Sequence, residues 1–429
     1  MNHTGVVDPA KPDETRWHLS LIPLYMAIGS SGLLVTLVAL SLGASVADVG
    51  VMAACGSAGA IVLSVVWGRL SDFSGRRKKY LLFFFIVLGP IFLALSMANS
   101  VPQLILLYAA LASIASGVAP IAIMYTVECY KGKNWQVGVG RYNFFSSVGS
   151  LLGFLTYAVV AEFYETHWLF YVSAAMCLLA FILLWRTGRE PEITLERYPF
   201  PVGNSVDSEK ILSPKSIWNH MDIRRLKVPR NLEQLKPLQL LFLASFVHWT
   251  GISFFGVGQT PLMRSLGLSD SLILVVNSAA VAAQAIAFVR IAPHLKSNGG
   301  RLLNRVVFAR GGLILCWAAL PILAFHSSFV FIFLLIASVV WSILYAMIWL
   351  PITNYAISQA PADRKGSVQG ELLSATGVAN AVGSALGGLV ITAYGYTVGF
   401  IFASIIAMAT IPIISRIDVI ESDQLSKSS

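Results

Sequence analysis

The chain has 429 residues, of which 56% are hydrophobic and only 12% charged, with a formal net charge of +9. Soluble domains carry about 25% charged residues, so a water-soluble globule is excluded, and the positive charge has to be explained within a membrane setting. Four cysteines (Cys55, Cys129, Cys177, Cys316) lie inside or at the ends of apolar stretches without metal-like spacing. Neither a disulfide frame nor a metal site is expected, and no cofactor is called for.

Apolar runs of about 20 residues, each long enough as a helix to cross a ~30 Å hydrocarbon layer, recur along almost the whole chain. They fall at 21–43, 49–70, 80–98, 102–127, 137–161 and 168–186, then at 238–260, 271–291, 306–325, 328–355, 367–393 and 397–415. The first lacks a basic leader and a small-residue cleavage site and contains Pro23, Gly29 and Gly32, so it reads as a retained span rather than a signal peptide. Residues 188–236, rich in Pro, Glu, Arg, Lys and Ser, cannot be buried in lipid and form a connector. Within it Ile217, Trp218, Met221 and Leu226, interspersed with Arg224, Arg225 and Lys227, suit either a short helix on the anionic leaflet or a solvated linker. The pattern predicts an all-α membrane protein of about twelve transmembrane helices, built as two pseudo-symmetric six-helix bundles, 1–187 and 237–429, joined by 188–236.

The basic residues alternate from loop to loop. Arg76, Arg77, Lys78 and Lys79, then Lys131 and Lys133, Lys296, Arg301 and Arg305, and Arg364 and Lys365 share one side with the connector, and only Arg264 falls clearly on the other. Positive loops are retained in the cytoplasm, so both termini and the connector are expected there, in the plasma membrane. The charge therefore marks topology and gives no reason to invoke nucleic acid.

The halves repeat local pattern, as transporters built from repeats do. Gly138 to Gly149 reads G-V-G-R-Y-N-F-F-S-S-V-G and Gly366 to Gly377 reads G-S-V-Q-G-E-L-L-S-A-T-G. On this register Asn143 matches Glu371. Each run continues into Gly-x-x-x-Gly, at Gly149/Gly153 and Gly383/Gly387, where helix backbones can approach closely. Gly32 lies on Gly251 in the first and seventh runs, each followed by an acid, Asp48 or Asp270, opening the next.

After the second run comes Gly68-Arg69-Leu70-Ser71-Asp72-Phe73-Ser74-Gly75-Arg76-Arg77-Lys78-Lys79. Gly68 would allow close helix packing, Asp72 puts a carboxylate at the membrane edge, Gly75 allows a tight reversal, and the basic cluster anchors the turn. This stretch resembles the loop-2/3 signature of the major facilitator superfamily, roughly G-x-L-x-D-[RK]-x-G-R-[RK]. The resemblance extends over the chain through twelve spans, a long middle loop and paired halves, with Phe73 departing from the usual basic residue. It implies a secondary transporter working by alternating access. In the family the acid meets the start of the eleventh helix and the loop arginine meets an acid ending the fourth; here the Asp363–Gly366 turn and Glu128 match those places. Arg141 could join Glu128, and Glu371 lies at the other end of the cluster. The implied conformational latch is Gly68, Asp72, Gly75, Arg76, Arg77, Glu128, Arg141 and Glu371. The corresponding second-half loop, Pro293 to Arg305, lacks an acid, so the latch should be lopsided.

The same resemblance assigns a central cavity to helices one, four, seven and ten. Trp341, Tyr345 and Trp349, at i, i+4 and i+8, form a stripe suited to stacking on a flat or sugar-like molecule. His248 and Gln259 on the seventh run, Tyr25 and Thr36 on the first, and Ser116 and Tyr125 on the fourth complete the candidates; packing or an interfacial belt would explain several of them equally. No acid lies at mid-depth, so a coupling proton would fall to His248 or Glu371. With membrane charges taken as missing, a dedicated site for a strongly anionic cargo is not expected. The expected cargo is a neutral or weakly polar drug-like or sugar-like compound, moved in the direction of efflux, with protons as the candidate coupling ion and the protein a monomer in the bilayer. An uptake permease or uniporter, or a membrane sensor that binds without transport, remain alternatives. Enzyme motifs G-x-S-x-G, H-E-x-x-H and C-x-x-C and the Gly-x-x-x-x-Gly-Lys-[Ser/Thr] nucleotide loop do not occur. Gly138, Gly140, Gly256 and Gly258 read as packing glycines.

Overall fold

A computed structural model describes residues 16–130, 135–190, 237–291, 300–323, 327–359 and 365–417. The connector's amphipathic stretch around Trp218, the 293–299 loop and residues 360–364 lie outside the described residues. Eleven segments among the described residues are long and apolar enough to cross a membrane. They are Arg16–Ser41, Val46–Gly68, Arg77–Ser96, Val101–Cys129, Gly138–Phe163, Thr166–Thr187, Pro237–Ser265, Asp270–Arg290, Leu302–Ala319, Phe329–Ala356 and Gly370–Ile417. At 1.5 Å per residue the last of these is about 70 Å long, twice a bilayer core. It breaks at Gly395, whose φ of 85° leaves the helical region, so it holds spans eleven and twelve. Twelve crossings result, as the hydropathy predicts.

Turn chemistry sets the boundaries. Gly43, Gly75, Gly267 and Gly395 all take positive φ, a conformation open to glycine at little cost, and each sits in a reversal between consecutive spans. The second span opens with a capping box, in which the Ser45 hydroxyl accepts from the Asp48 backbone N–H and the Asp48 carboxylate accepts from that of Ser45. Asp48 therefore has a local structural role.

The two Gly-x-x-x-Gly pairs do the same work in each half. A methyl at Gly149 would fall 2.5 Å from Ile22 O and one at Gly153 2.5 Å from Met26 O, so span five crosses span one backbone to backbone. In the second half Gly383 meets Thr250 and Gly387 meets Phe254, bringing span eleven onto span seven. Matched by these crossings, Gly149 answers Gly383, not Gly377, and Ile22 answers Thr250, which moves Gly32 off Gly251 and Asn143 off Glu371. Gly138 and Gly258 pack against side chains as expected, whereas Gly140, Gly256 and Gly68 face open space.

Spans two and eleven form one seam between the halves, with Gly50 against Gly388 and Ile61 against Gly377. Spans five and eight form the other, where the Ser271 hydroxyl donates to Ala158 O at 2.8 Å.

Candidate functional site

In the signature loop, Gly75 ends the second span in the left-handed conformation, its N–H donating to Ser71 O at 3.0 Å. The reversal turns Arg77 inward, where it is buried and its Nε donates to Glu128 Oε1 at 3.2 Å. A second guanidinium nitrogen donates to the Ser71 hydroxyl. Arg77 rather than Arg76 thus meets the acid that ends span four, because one residue along a starting helix rotates the side chain by about 100°. Arg76 is exposed. Arg141 is exposed too and donates to the Tyr130 hydroxyl at 3.2 Å. The side chain of Asp72 lies outside the described residues, and Glu371 is exposed at the same end of the molecule. Glu190, just past span six, accepts from the backbone N–H of Lys78 at 3.3 Å. Partial burial raises its carboxyl above the usual range, with Lys78 opposing the shift.

The aromatic candidates converge around a charge that hydropathy averaging conceals. Arg310, within span nine, is 1% exposed. Its guanidinium lies 4.0 Å from the Trp341 ring centroid and 5.9 Å from those of Trp249 and Tyr345. Its Nη1 is 3.2 Å from His248 Nε2. A guanidinium has no acceptor, so that imidazole nitrogen faces it with a lone pair. The expectation of no membrane charge is corrected here. Arg310 is nevertheless enclosed in the second bundle, shielded by ring faces that stabilise a desolvated cation. His248, likewise buried at 1% exposure, belongs to this interior cluster.

Beyond it Tyr345 and Trp349 stack at 6.4 Å with an interplanar angle of 11°. Trp249 contacts both edge-on at 5.7 Å, and Phe288 of span eight meets Tyr345 at 6.0 Å. These rings form an aromatic wall drawn from spans seven, eight and ten, with Gln259 half-buried on span seven.

In the first bundle the Tyr25 hydroxyl pairs with that of Tyr142, joining spans one and five. The hydroxyls of Thr36 and Ser116 donate to their own helices, at Gly32 O and Ser113 O, both at 2.8 Å. Tyr125 is fully buried, packs edge-on against Trp17 at 4.7 Å and donates to Arg189 O at 2.6 Å. It is a bundle-interior residue, whereas the resemblance made it a candidate for the cavity.

Among the described residues, polar contacts join the halves at the end away from the signature loop. Thr166 donates to Asp270 Oδ2 at 2.5 Å, Arg264 donates to Leu37 O at 2.9 Å and lies 3.8 Å from Asp270, and the Ala47 N–H donates to Thr392 Oγ1 at 2.9 Å. At the signature-loop end nothing lies within 4 Å of a Cβ built on Gly68, Gly140 or Gly370. Among the described residues, the end away from the signature loop is closed by hydrogen bonds across the halves. Arg264 and Asp270 are not candidates from the sequence, although an arginine alone on the loop-poor side is the available signal.

Residues 18–370 match the model of the Major Facilitator Superfamily. The chain belongs to the Major Facilitator Superfamily. It is a multi-pass membrane transporter, and the helical two-bundle architecture follows. Among solved structures it is similar to a mutant form of a nucleoside transporter, NupG, with TM-score 0.72 and 11% identity over 94% of this chain and 98% of that one. An auto-inhibited POT family peptide transporter gives 0.71 at 12% identity, over 95% and 96% of the two chains. An inward-facing, unoccupied bacterial homologue of human Spinster gives 0.64 at 15%, over 95% and 96%. At these identities the likeness establishes the fold. No curated protein matches the sequence.

Proposed function

We propose that this superfamily member exports a neutral or weakly polar organic compound by alternating access, loading it from the cytoplasm into the space between the halves. One observation carries this reading: among the described residues, hydrogen bonds join the halves at the mouth away from the signature loop, between Thr166 and Asp270, Arg264 and Leu37, and Ala47 and Thr392. Bistable closure of alternate mouths is what moves a solute without a continuous pore. Basic-loop asymmetry puts the open mouth in the cytoplasm, with both termini on that side of the plasma membrane.

The cargo reading rests on the aromatic wall of Tyr345, Trp349 and Trp249, which offers ring faces and few charges. Arg310 does not alter it, since its charge is enclosed behind that wall. His248 turns a lone pair to Arg310, so a coupling proton would instead fall to Glu371, exposed at the open mouth. Asp72, Arg76, Arg77, Glu128 and Arg141 act as the latch that closes this mouth in the opposite state, and the protein works as a monomer.

Uptake and efflux across a compound panel in proteoliposomes, with and without a pH gradient, test the proposal. Saturable flux of uncharged compounds supports it; binding without flux would make the chain a sensor. Loss of pH-driven accumulation in Glu371→Gln, with binding retained, would support the assigned proton carrier.

A further inference from the structure

A cavity of about 450 Å³ opens where span two ends and span three begins, lined by Trp67, Ser74, Arg76, Lys79, Tyr80 and Phe83. Its size is in the usual range for a ligand site. Helical spacing builds it. Trp67 and Ser74 lie two turns apart on one helix face, Arg76 is the N-cap residue of the next helix, and Lys79, Tyr80 and Phe83 follow on a shared face of that helix.

The four consecutive basic residues of the turn divide their work. Arg77 turns inward to Glu128, and Lys78 is held by Glu190 and by Trp185 O. Arg76 and Lys79 line the cavity instead, with the Glu190 carboxylate near enough to Arg76 to feel its charge. The rest of the lining is amphipathic. The Trp67 indole N–H is fixed on Ser113 O at 3.1 Å, so its ring forms a settled wall, while Phe83 is 42% exposed on the outer surface of span three.

We infer that this cavity binds the phosphate-bearing headgroup of an anionic phospholipid. Two cations at the polar end match one phosphodiester, and the Ser74 hydroxyl, which donates to Ser71 O at 3.4 Å, lines the same end. The aromatic end and exposed Phe83 face the depth at which glycerol and the first acyl carbons lie. A soluble phosphate compound would use the same cations, but not an apolar wall open to the hydrocarbon side. The bound lipid would bridge spans two and three beside the latch loop.

Native mass spectrometry of full-length protein from nanodiscs of phosphatidylglycerol and phosphatidylcholine tests this. Wild type is expected to retain phosphatidylglycerol, and Lys79→Gln and Arg76→Gln each to lose it several-fold. Arg305→Gln, the same charge change at an exposed site on span nine at the same end of the molecule, controls for general surface charge and should retain it. Equal retention by Lys79→Gln and Arg305→Gln, or no preference over phosphatidylcholine, would overturn the inference. So would displacement of the lipid by millimolar inorganic phosphate, since the site would then serve a soluble anion. A Lys79→Gln protein with normal melting and reduced lipid retention separates lost binding from misfolding.

Discussion

Arg310 Nη1 meets His248 Nε2 at 3.2 Å inside the second bundle, and no acid among the described residues forms an ion pair with either. Aromatic rings take the place of a carboxylate. Removing the imidazole would leave a buried charged donor short of an acceptor, a loss of about 1–3 kcal/mol. His248→Ala is therefore expected to lower the melting temperature while pH-driven transport, where present, persists. Loss of pH coupling with unchanged melting would return His248 to the role of proton carrier. Arg310→Met, which keeps volume and removes the charge, should be less harmful than Arg310→Ala.

The aromatic wall should behave in the opposite way. Trp349 is half-buried and contacts Tyr345 and Trp249, so Trp349→Ala removes a stacking surface worth about 1 kcal/mol. Substrate affinity is expected to fall several-fold with little change in melting. Trp341 lies against the Arg310 guanidinium at 4.0 Å, so Trp341→Ala should lower stability as well as binding. Unchanged affinity in both variants would move the cavity elsewhere.

At the closed mouth, Arg264→Ala removes the bond to Leu37 O and the contact with Asp270. A hydrogen bond from a charged group is worth about 1.5–3 kcal/mol, enough to shift a two-state ratio more than tenfold. Cysteines placed near Thr166 should become reactive to impermeant reagents in intact cells. No change in labelling would show that the seam closes without this contact.

Asp72→Asn should slow transport far more than it weakens binding, because the residue biases the exchange between mouths rather than touching cargo. A matched loss of both, measured by flux and equilibrium binding, would count against a latch.

The spans are legible in the sequence because lipid demands long apolar helices, and Gly395 supplies the break between spans eleven and twelve that the hydropathy requires. The Gly-x-x-x-Gly crossings are legible too, although the repeat register is not, since Gly149 and Gly383 are equated by what they touch. Arg310 is hidden by its neighbours: span nine is apolar on average, yet its mean hydropathy of 1.4 is the lowest of the eleven, and that dip is the available signal. The choice of Arg77 over Arg76 depends on helix phase after Gly75, which spacing alone does not set.

Cross-linking the shut mouth tests the central claim most directly. The Ala47 N–H lies 2.9 Å from Thr392 Oγ1 across the two halves, so Ala47→Cys with Thr392→Cys, in a protein whose four native cysteines are replaced by serine, places two thiols on facing helices. Oxidation in proteoliposomes is expected to abolish flux while substrate still binds from the open side, and reduction should restore transport. Undiminished flux through the fully cross-linked protein would contradict alternating access through this seam.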